Sequence, residues 1–353
     1  MSPTSVGEVI GGPQALETPA DRPASLARLG VALWTMQSTV SGPGNFARLY
    51  HELPEDVALV EHYGFASVWT AEHRIWYDGC CPALLHAQAL AVAHTSRVRF
   101  GNAMLLLPQH DPIALARAAL TLDRLSSGRV DLGVALGHRD AEFDALGLRR
   151  DQRARLMEHG LDCLRDVWAG RYGDPPPVQR NGPPVWIGGM APPVISRAAR
   201  YGHGLVLPPT LSPARTRAIV DDYHEQAVGP VTAEMGMLRD VFVASDPREA
   251  AAFRERLRIH YREEIGSWWA LKGGVGFQAG EEVDRQLGYN DRGAIVGSPE
   301  EVAQGLADLF EAGVTHIAVR LKYDFVERAV VHDQIARVAQ EVAPLLTATG
   351  VLA

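Results

Sequence analysis

The feature that most constrains this chain is a repeated alternation: from Leu29 onward, short apolar runs trade places with longer amphipathic ones. The apolar runs predict strands at Leu29–Trp34, Ser67–Thr70, Val98–Leu106, Val130–Leu136, Val185–Ile187, Gly204–Leu207, Leu238–Val243 and His316–Leu321. The runs between them predict helices at Pro54–Tyr63, Pro82–His94, Pro112–Leu125, Gln152–Trp168, Pro193–Tyr201, Pro213–Ala227, Pro247–Tyr261 and Phe325–Leu346. Six of these helices begin with proline, whose missing N–H costs nothing in a first helical turn. None of the strands alternates cleanly with a period of two, as expected of parallel strands covered on both faces. Eight strand–helix units predict a (β/α)8 TIM barrel, with a doubly wound open sheet as the alternative.

A minimal barrel needs about 250 residues, and the chain has 353. The surplus falls in two places. Residues 1–26 read as a flexible tail rich in Gly, Pro, Ser and Thr, leaving 27–353 as a single barrel domain. Arg262–Arg292 is an insertion between strands seven and eight, holding Trp268, Trp269, Gly273, Gly274, Gly276 and Phe277. Aromatics among glycines read equally as a cover over a pocket or as a surface insertion anchored by its rings. A further helix, Pro299–Ala312, leads into the last strand.

Composition narrows the class. At 46% hydrophobic and 22% charged, the chain is an ordinary globular protein. A formal net charge of −8, spread along the sequence, disfavours nucleic acid as a partner. The sequence has no apolar run long enough to span a bilayer and no secretory leader pattern, so the expected setting is cytoplasmic, away from membranes. Cys80, Cys81 and Cys163 do not form a disulfide framework. Pro82–His94 is apolar on nearly every face, which predicts cover from the insertion or from a second copy, and a homodimer is the expectation.

In a parallel barrel the site lies just past the strand C-termini. There the sequence offers Glu72, His73 and Arg74; Gln109 and His110; His138 and Arg139; Gly188, Gly189 and Met190; and Lys322. The first strand is followed by Thr35-Met36-Gln37 instead of a pair of spaced histidines, so a metal hydrolase is disfavoured and no metal is expected. Lys322 is the one Schiff-base candidate and nothing near it marks it as special. The GxSxG elbow, the Walker loop and the GxGxxG fingerprint are missing, so the hard chemistry falls to a cofactor.

Ile187-Gly188-Gly189-Met190 ahead of a helix suits a phosphate, with the Ser196 hydroxyl placed in the first turn; an ordinary glycine turn is the alternative. His73 can serve as a hydrogen-bonding or basic imidazole, although a lone histidine is more often structural. Trp34, Trp76, Trp268, Trp269 and Phe277 are guesses for pocket walls.

These residues fall into a pattern. Gly64-Phe65 with Val68-Trp69-Thr70-Ala71-Glu72-His73 opens it, and Val98-Arg99-Phe100-Gly101-Asn102 and Leu107-Pro108-Gln109-His110-Asp111-Pro112 continue it. The most specific stretch is Leu122-Asp123-Arg124-Leu125-Ser126-Ser127-Gly128-Arg129. Glu142-Phe143, Ile187-Gly188-Gly189 with Arg197-Ala198-Ala199, and Val296-Gly297-Ser298-Pro299-Glu300-Glu301-Val302 complete it. In this order, over nearly all of Leu29–Leu346, the sequence resembles the bacterial-luciferase-like flavin-dependent monooxygenases and their deazaflavin-using relatives.

The resemblance implies a (β/α)8 barrel, usually dimeric through its second and third helices, that binds reduced FMN (FMNH2) at its mouth. It also implies O2 as co-substrate, a small organic substrate and a separate flavin reductase. By the same resemblance, His73 matches the histidine near the reactive edge of the flavin. Ala103 and Met104 match a cis peptide under the ring, while Gly188, Gly189, Met190 and Ser196 match the phosphate turn. A cysteine and arginine typical of luciferases are Ala135 and Leu136 here, leaving His138 or Arg139 as substitute phosphate contacts. The alternatives are hydride transfer with the deazaflavin coenzyme F-420 and a non-catalytic flavin-binding barrel.

Overall fold

The computed structural model describes residues 23–32, 46–73, 75, 81–227, 234–261, 293–323 and 325–351 of the chain. The apolar runs form parallel strands: β1 Leu29–Ala32, β2 Ser67–Thr70, β3 Arg99–Asn102, β4 Val130–Val134, β5 Val185–Gly188, β6 Gly204–Leu207 and β7 Glu234–Val243. A short β8, Ile295–Gly297, and β9, His316–Arg320, follow. β1 to β7 pair in sequence order, β6 with β7 included, and β9 closes the barrel by pairing with both β7 and β1. The result is a closed eight-stranded parallel barrel, with β8 added outside it on Val241–Val243. The open-sheet alternative is thereby excluded.

Helices α1 Phe46–His62, α2 Leu84–Val92, α3 Pro112–Leu125, α4 Asp140–Ala145, α5 Arg153–Trp168, α6 Pro192–Tyr201, α7 Pro213–Gln226 and α8 Pro247–Ile259 connect the strands. α9 Pro299–Glu311 precedes β9, and α10 Arg328–Arg337 follows it. Pro112, Pro192, Pro213, Pro247 and Pro299 all stand at helix starts, and the preceding Asp111, Ser212, Asp246 and Ser298 cap the helices with their side chains.

Two proline readings need correction. Pro54 lies inside α1, which begins at Phe46, and α2 begins at Leu84 rather than Pro82. An interior proline costs a helix about 3 kcal/mol. In α1 the buried Leu49, Leu53, Val57 and Val60, spaced three and four apart, outweigh that cost. β7 also begins four residues earlier than the apolar run suggested, because Gly204 pairs with the polar Glu234. Leu26 is buried and the Ser25 hydroxyl donates to the Ala343 carbonyl, so residues 24–26 belong to the barrel rather than to a tail. The rest of that tail and Arg262–Arg292 lie outside the described residues.

One large core fills the space between strands and helices. A smaller one, inside the barrel, consists of Ala32, Trp69, Ala103, Trp186, Val206, Leu238 and Ala318, with Met104 packed against it. A third joins Phe242, Phe253, Leu257, Tyr261, Val296 and Tyr323 where β7 and β8 run on past the barrel. α2 buries Leu84, Leu85, Ala87, Gln88, Ala91 and Val92 within its own chain and leaves Leu90 exposed. Much of its apolar surface is therefore used in intramolecular packing. Among the described residues, no helix is long and apolar enough to cross a membrane.

Candidate active site

The strand C-termini open on one end of the barrel, and the floor of that mouth depends on two glycines. A Cβ at Gly188 would stand 2.7 Å from Met104 Cγ, and one at Gly133 would stand 3.2 Å from Met104 Cε. Gly188 thus clears the space in which Met104 lies, while Gly133 chiefly admits the Asn102 carbonyl, 1.7 Å from where its Cβ would stand, and Met104 second. The Ala103–Met104 peptide bond is cis. Hydrogen bonds hold the segment on both sides, from Ala103 N–H to the Thr70 carbonyl and from Leu105 N–H to the Gly133 carbonyl. Ala103, Met104 and Trp69 thus make an apolar floor.

One side of the mouth is polar. His73 follows β2, and its Nδ1 is 3.1 Å from Oε1 of Glu142, the third residue of α4. A carboxylate can only accept, so Nδ1 carries the proton. Glu142 is wholly buried and also accepts from Ile75 N–H at 3.3 Å. Burial alone would raise its pKa. The hydrogen bond and charge of His73, the Ile75 N–H and the Arg139 guanidinium outweigh that and hold the carboxyl below its ordinary value. Beside this pair, His110 Nε2 lies 2.6 Å from Glu72 Oε1, which also takes the Leu106 N–H.

His138 meets His73 edge to face, with ring centroids 6.0 Å apart. Crowding in the concave mouth and the nearby His73 push its pKa down to about 4. Its ring also meets solvent, and water screens part of that effect. The direction is what matters: His138 is neutral at pH 7. Arg139 is buried, and its guanidinium donates to the Ile75 carbonyl. It thus turns away from the role of exposed phosphate contact.

The expected phosphate turn is only partly assembled. Gly188 and Gly189 stand at the rim, Gly189 with φ of 140°, and Met190 is exposed. Pro192 and Pro193 carry no N–H, and the N–H groups of Val194 and Ile195 both donate to the Ala191 carbonyl. The Gly189 N–H donates to the Val206 carbonyl. The start of α6 therefore offers an anion fewer donors than the sequence reading supposed. Ser196 is a correction. It is the fifth residue of α6, beyond the first turn, and its hydroxyl pairs with Gln226 Oε1 near the far end of α7 at 2.5 Å.

Lys322 forms an ion pair with buried Asp56 at 3.0 Å, and Arg328 and His332 hold the same carboxylate. Asp56 ties the post-barrel segment to α1, so Lys322 has a structural task. Among the described residues, no cluster of His, Cys, Asp and Glu could hold a metal. Trp34, Arg74, Trp76, Trp268, Trp269 and Phe277 lie outside the described residues. Glu142 is the residue whose part in the mouth the sequence reading missed, while Arg139 was placed there but read as a phosphate contact rather than as a brace on Ile75. The Glu142-Phe143 motif marked the place but not its pairing with a histidine 69 positions earlier.

Comparison with known proteins supplies the decisive observation: residues 28–316 match the family model described as luciferase-like monooxygenase. The chain belongs to that family. Among the curated relatives of this luciferase-like chain, an uncharacterized protein of Sinorhizobium fredii is 27% identical over 59% of the chain and 65% of its own length. The oxygenase component of a flavin-dependent trigonelline monooxygenase from Acinetobacter baylyi is 23% identical over 67% of the chain and 71% of its own length. The solved structure of the monooxygenase RslO1 from Streptomyces bottropensis shares the fold, with a TM-score of 0.76, 22% identity and coverage of 90% of this chain and 99% of that one.

A flavin or deazaflavin is the cofactor class that this family brings, and the mouth fits its ring. Glycines 133 and 188 clear a shelf for Met104, the floor is apolar, and the half-buried imidazole of His73 stands on the polar side. The phosphate end is less well provided, since the Gly189 N–H is given to Val206 and the helix that follows begins with two prolines.

Proposed function

We propose that this chain is the oxygenating component of a two-component monooxygenase, taking FMNH2 from a separate reductase and O2 to oxygenate a small, largely apolar organic substrate. The observation that carries the reading is the mouth itself, an apolar shelf of Ala103 and Met104 flanked by a histidine backed by a buried carboxylate. Reduced flavin supplies the electrons that activate O2, chemistry that side chains alone do not perform.

The protein's own contribution is to hold and shield. Ala103 and Met104 support the ring, and the Gly188–Met190 backbone lies beside the phosphate. His138, neutral at pH 7, adds no charge to the wall. His73 holds or accepts a proton at Nε2, the nitrogen opposite the one bound to Glu142. Exclusion of water from this floor keeps the activated oxygen for the substrate. A homodimer and a cytoplasmic setting remain part of the proposal, the dimer supported by the exposed Leu90 on the apolar α2.

The test is an anaerobic titration with FMN, FMNH2 and reduced coenzyme F-420, followed by air. The proposal expects FMNH2 to bind tightest and then to pass through a transient absorbance unlike free oxidised or reduced flavin. A preference for F-420 with no reaction toward O2 would move the chain to hydride transfer. Binding of none would leave a barrel without flavin chemistry.

A further inference from the structure

We propose that Glu142 is a positioning residue, whose buried carboxylate fixes His73 with its proton on Nδ1 and so makes Nε2 the proton-accepting nitrogen in the mouth. The inference deepens the monooxygenase reading and rests on it for the reaction that His73 serves.

The argument begins with accessibility. Glu142 has none, while the His73 side chain keeps 22% of its surface open. The carboxylate is therefore out of a ligand's reach and acts through the ring. Its position is over-determined. α4 begins directly after Arg139, so Glu142 falls in the first turn, where a helix favours negative charge. The Ile75 N–H donates to the same oxygen that faces His73, and the Arg139 guanidinium reaches the Ile75 carbonyl. Ile75 thus lies between the acid and the arginine, and the three link the segment after β2 to the one after β4.

The chemistry follows from the inventory of the ring. With Nδ1–H given to Glu142, a neutral His73 has its lone pair on Nε2. A proton taken there from a bound hydroxyl breaks one O–H bond, whose electron pair stays on the oxygen as an oxyanion, forms one N–H bond and leaves an imidazolium. The charge of Glu142 lies beside that imidazolium and stabilises it. The neighbouring His138 is neutral at pH 7, so it adds no positive charge to repel the imidazolium. The Glu72–His110 pair has the same composition, and through the Leu106 N–H its carboxylate braces the segment after the cis peptide.

The experiment has one arm that needs no cofactor. With 15N-labelled histidine in the full-length, ligand-free protein, ring-nitrogen shifts at a pH where His73 is neutral show which nitrogen bears the proton. The proposal expects Nδ1–H in the wild type and a loss of that exclusive state in Glu142→Gln. In turnover with FMNH2, Glu142→Gln should lower kcat about 100-fold while KM changes less than about threefold. An Nε2–H tautomer in the wild type overturns the proposal even if no variant folds. An unchanged kcat in a folded Glu142→Gln overturns it equally. If the protein proves unable to use flavin, the monooxygenase reading fails, while the tautomer arm still decides whether Glu142 holds His73.

Discussion

The two ends of the barrel treat buried charge differently. At the closed end, where the strands begin, the buried carboxylates of Glu61 and Asp123 and the half-buried Arg129 are surrounded by fixed partners. Glu61 accepts the N–H groups of Ser96, Arg97 and Val98. Asp123 accepts those of Val178 and Gln179 and the Gln179 amide. Arg129 donates to Ser126, Thr95 and Val98. At the mouth the buried carboxylates of Glu72 and Glu142 each lean on a histidine that is only partly covered. The closed end is built to hold and the mouth to respond, the division expected of this architecture.

The division can be broken by substitution. Asp123→Ala removes a buried acceptor from three donors and should cost about 3 kcal/mol of stability, read as a lowered denaturant midpoint, without changing kcat per folded molecule. A loss of kcat in the folded variant would mean that the ends are not separable. Gly188→Ala works from the mouth. Its Cβ meets Met104 Cγ at 2.7 Å, so the thioether must move off its shelf, and FMNH2 affinity should fall about tenfold with a smaller change in stability. Equal affinity in the variant would remove Met104 from the floor.

Acid probes the closed end too, where the half-buried Glu234 is an exception in having a histidine as partner. The hydrogen bond to His316, with that from Thr315, holds Glu234 down at about 2 against an ordinary 4.5. A carboxyl whose folded pKa is depressed stabilises the fold fully above its unfolded value and loses that contribution as pH falls through the folded one. Acid unfolding should therefore steepen between about pH 4.5 and 2, and Glu234→Gln should flatten that limb. Ser196→Ala is the smallest effect. With its hydroxyl on Gln226, FMNH2 affinity should stay within about twofold, whereas a tenfold loss would return Ser196 to the phosphate.

The same contrast explains what could be read in advance. The barrel was legible because β/α alternation is a local signal and each strand is covered on both faces. The most specific motif, Leu122–Arg129, proved to lie at the closed end, where Asp123 and Arg129 hold loops; its strength as a family mark came from structure rather than chemistry. His138, Gly188 and Gly189 were placed at the mouth because strand ends are readable, whereas Ala103 and Met104 came from the family resemblance, the strand having been read on to Leu106 although it ends at Asn102. The partners of those residues were not readable, since Glu142 comes from a separate β/α unit. The partner of Ser196 was hidden for a like reason, as Gln226 lies 30 residues away. The poverty of donors at the start of α6 was legible in Pro192-Pro193 and went unused.

The measurement closest to the central claim mixes enzyme loaded anaerobically with FMNH2 against air-saturated buffer in a stopped-flow instrument, for the wild type and for His73→Ala. The account predicts that the wild type delays reoxidation through a transient absorbance and that His73→Ala binds FMNH2 with similar affinity but loses the transient, its turnover falling about 100-fold or more. Reoxidation by the wild type at the rate of free FMNH2, or a transient and a turnover that survive in His73→Ala, would contradict it.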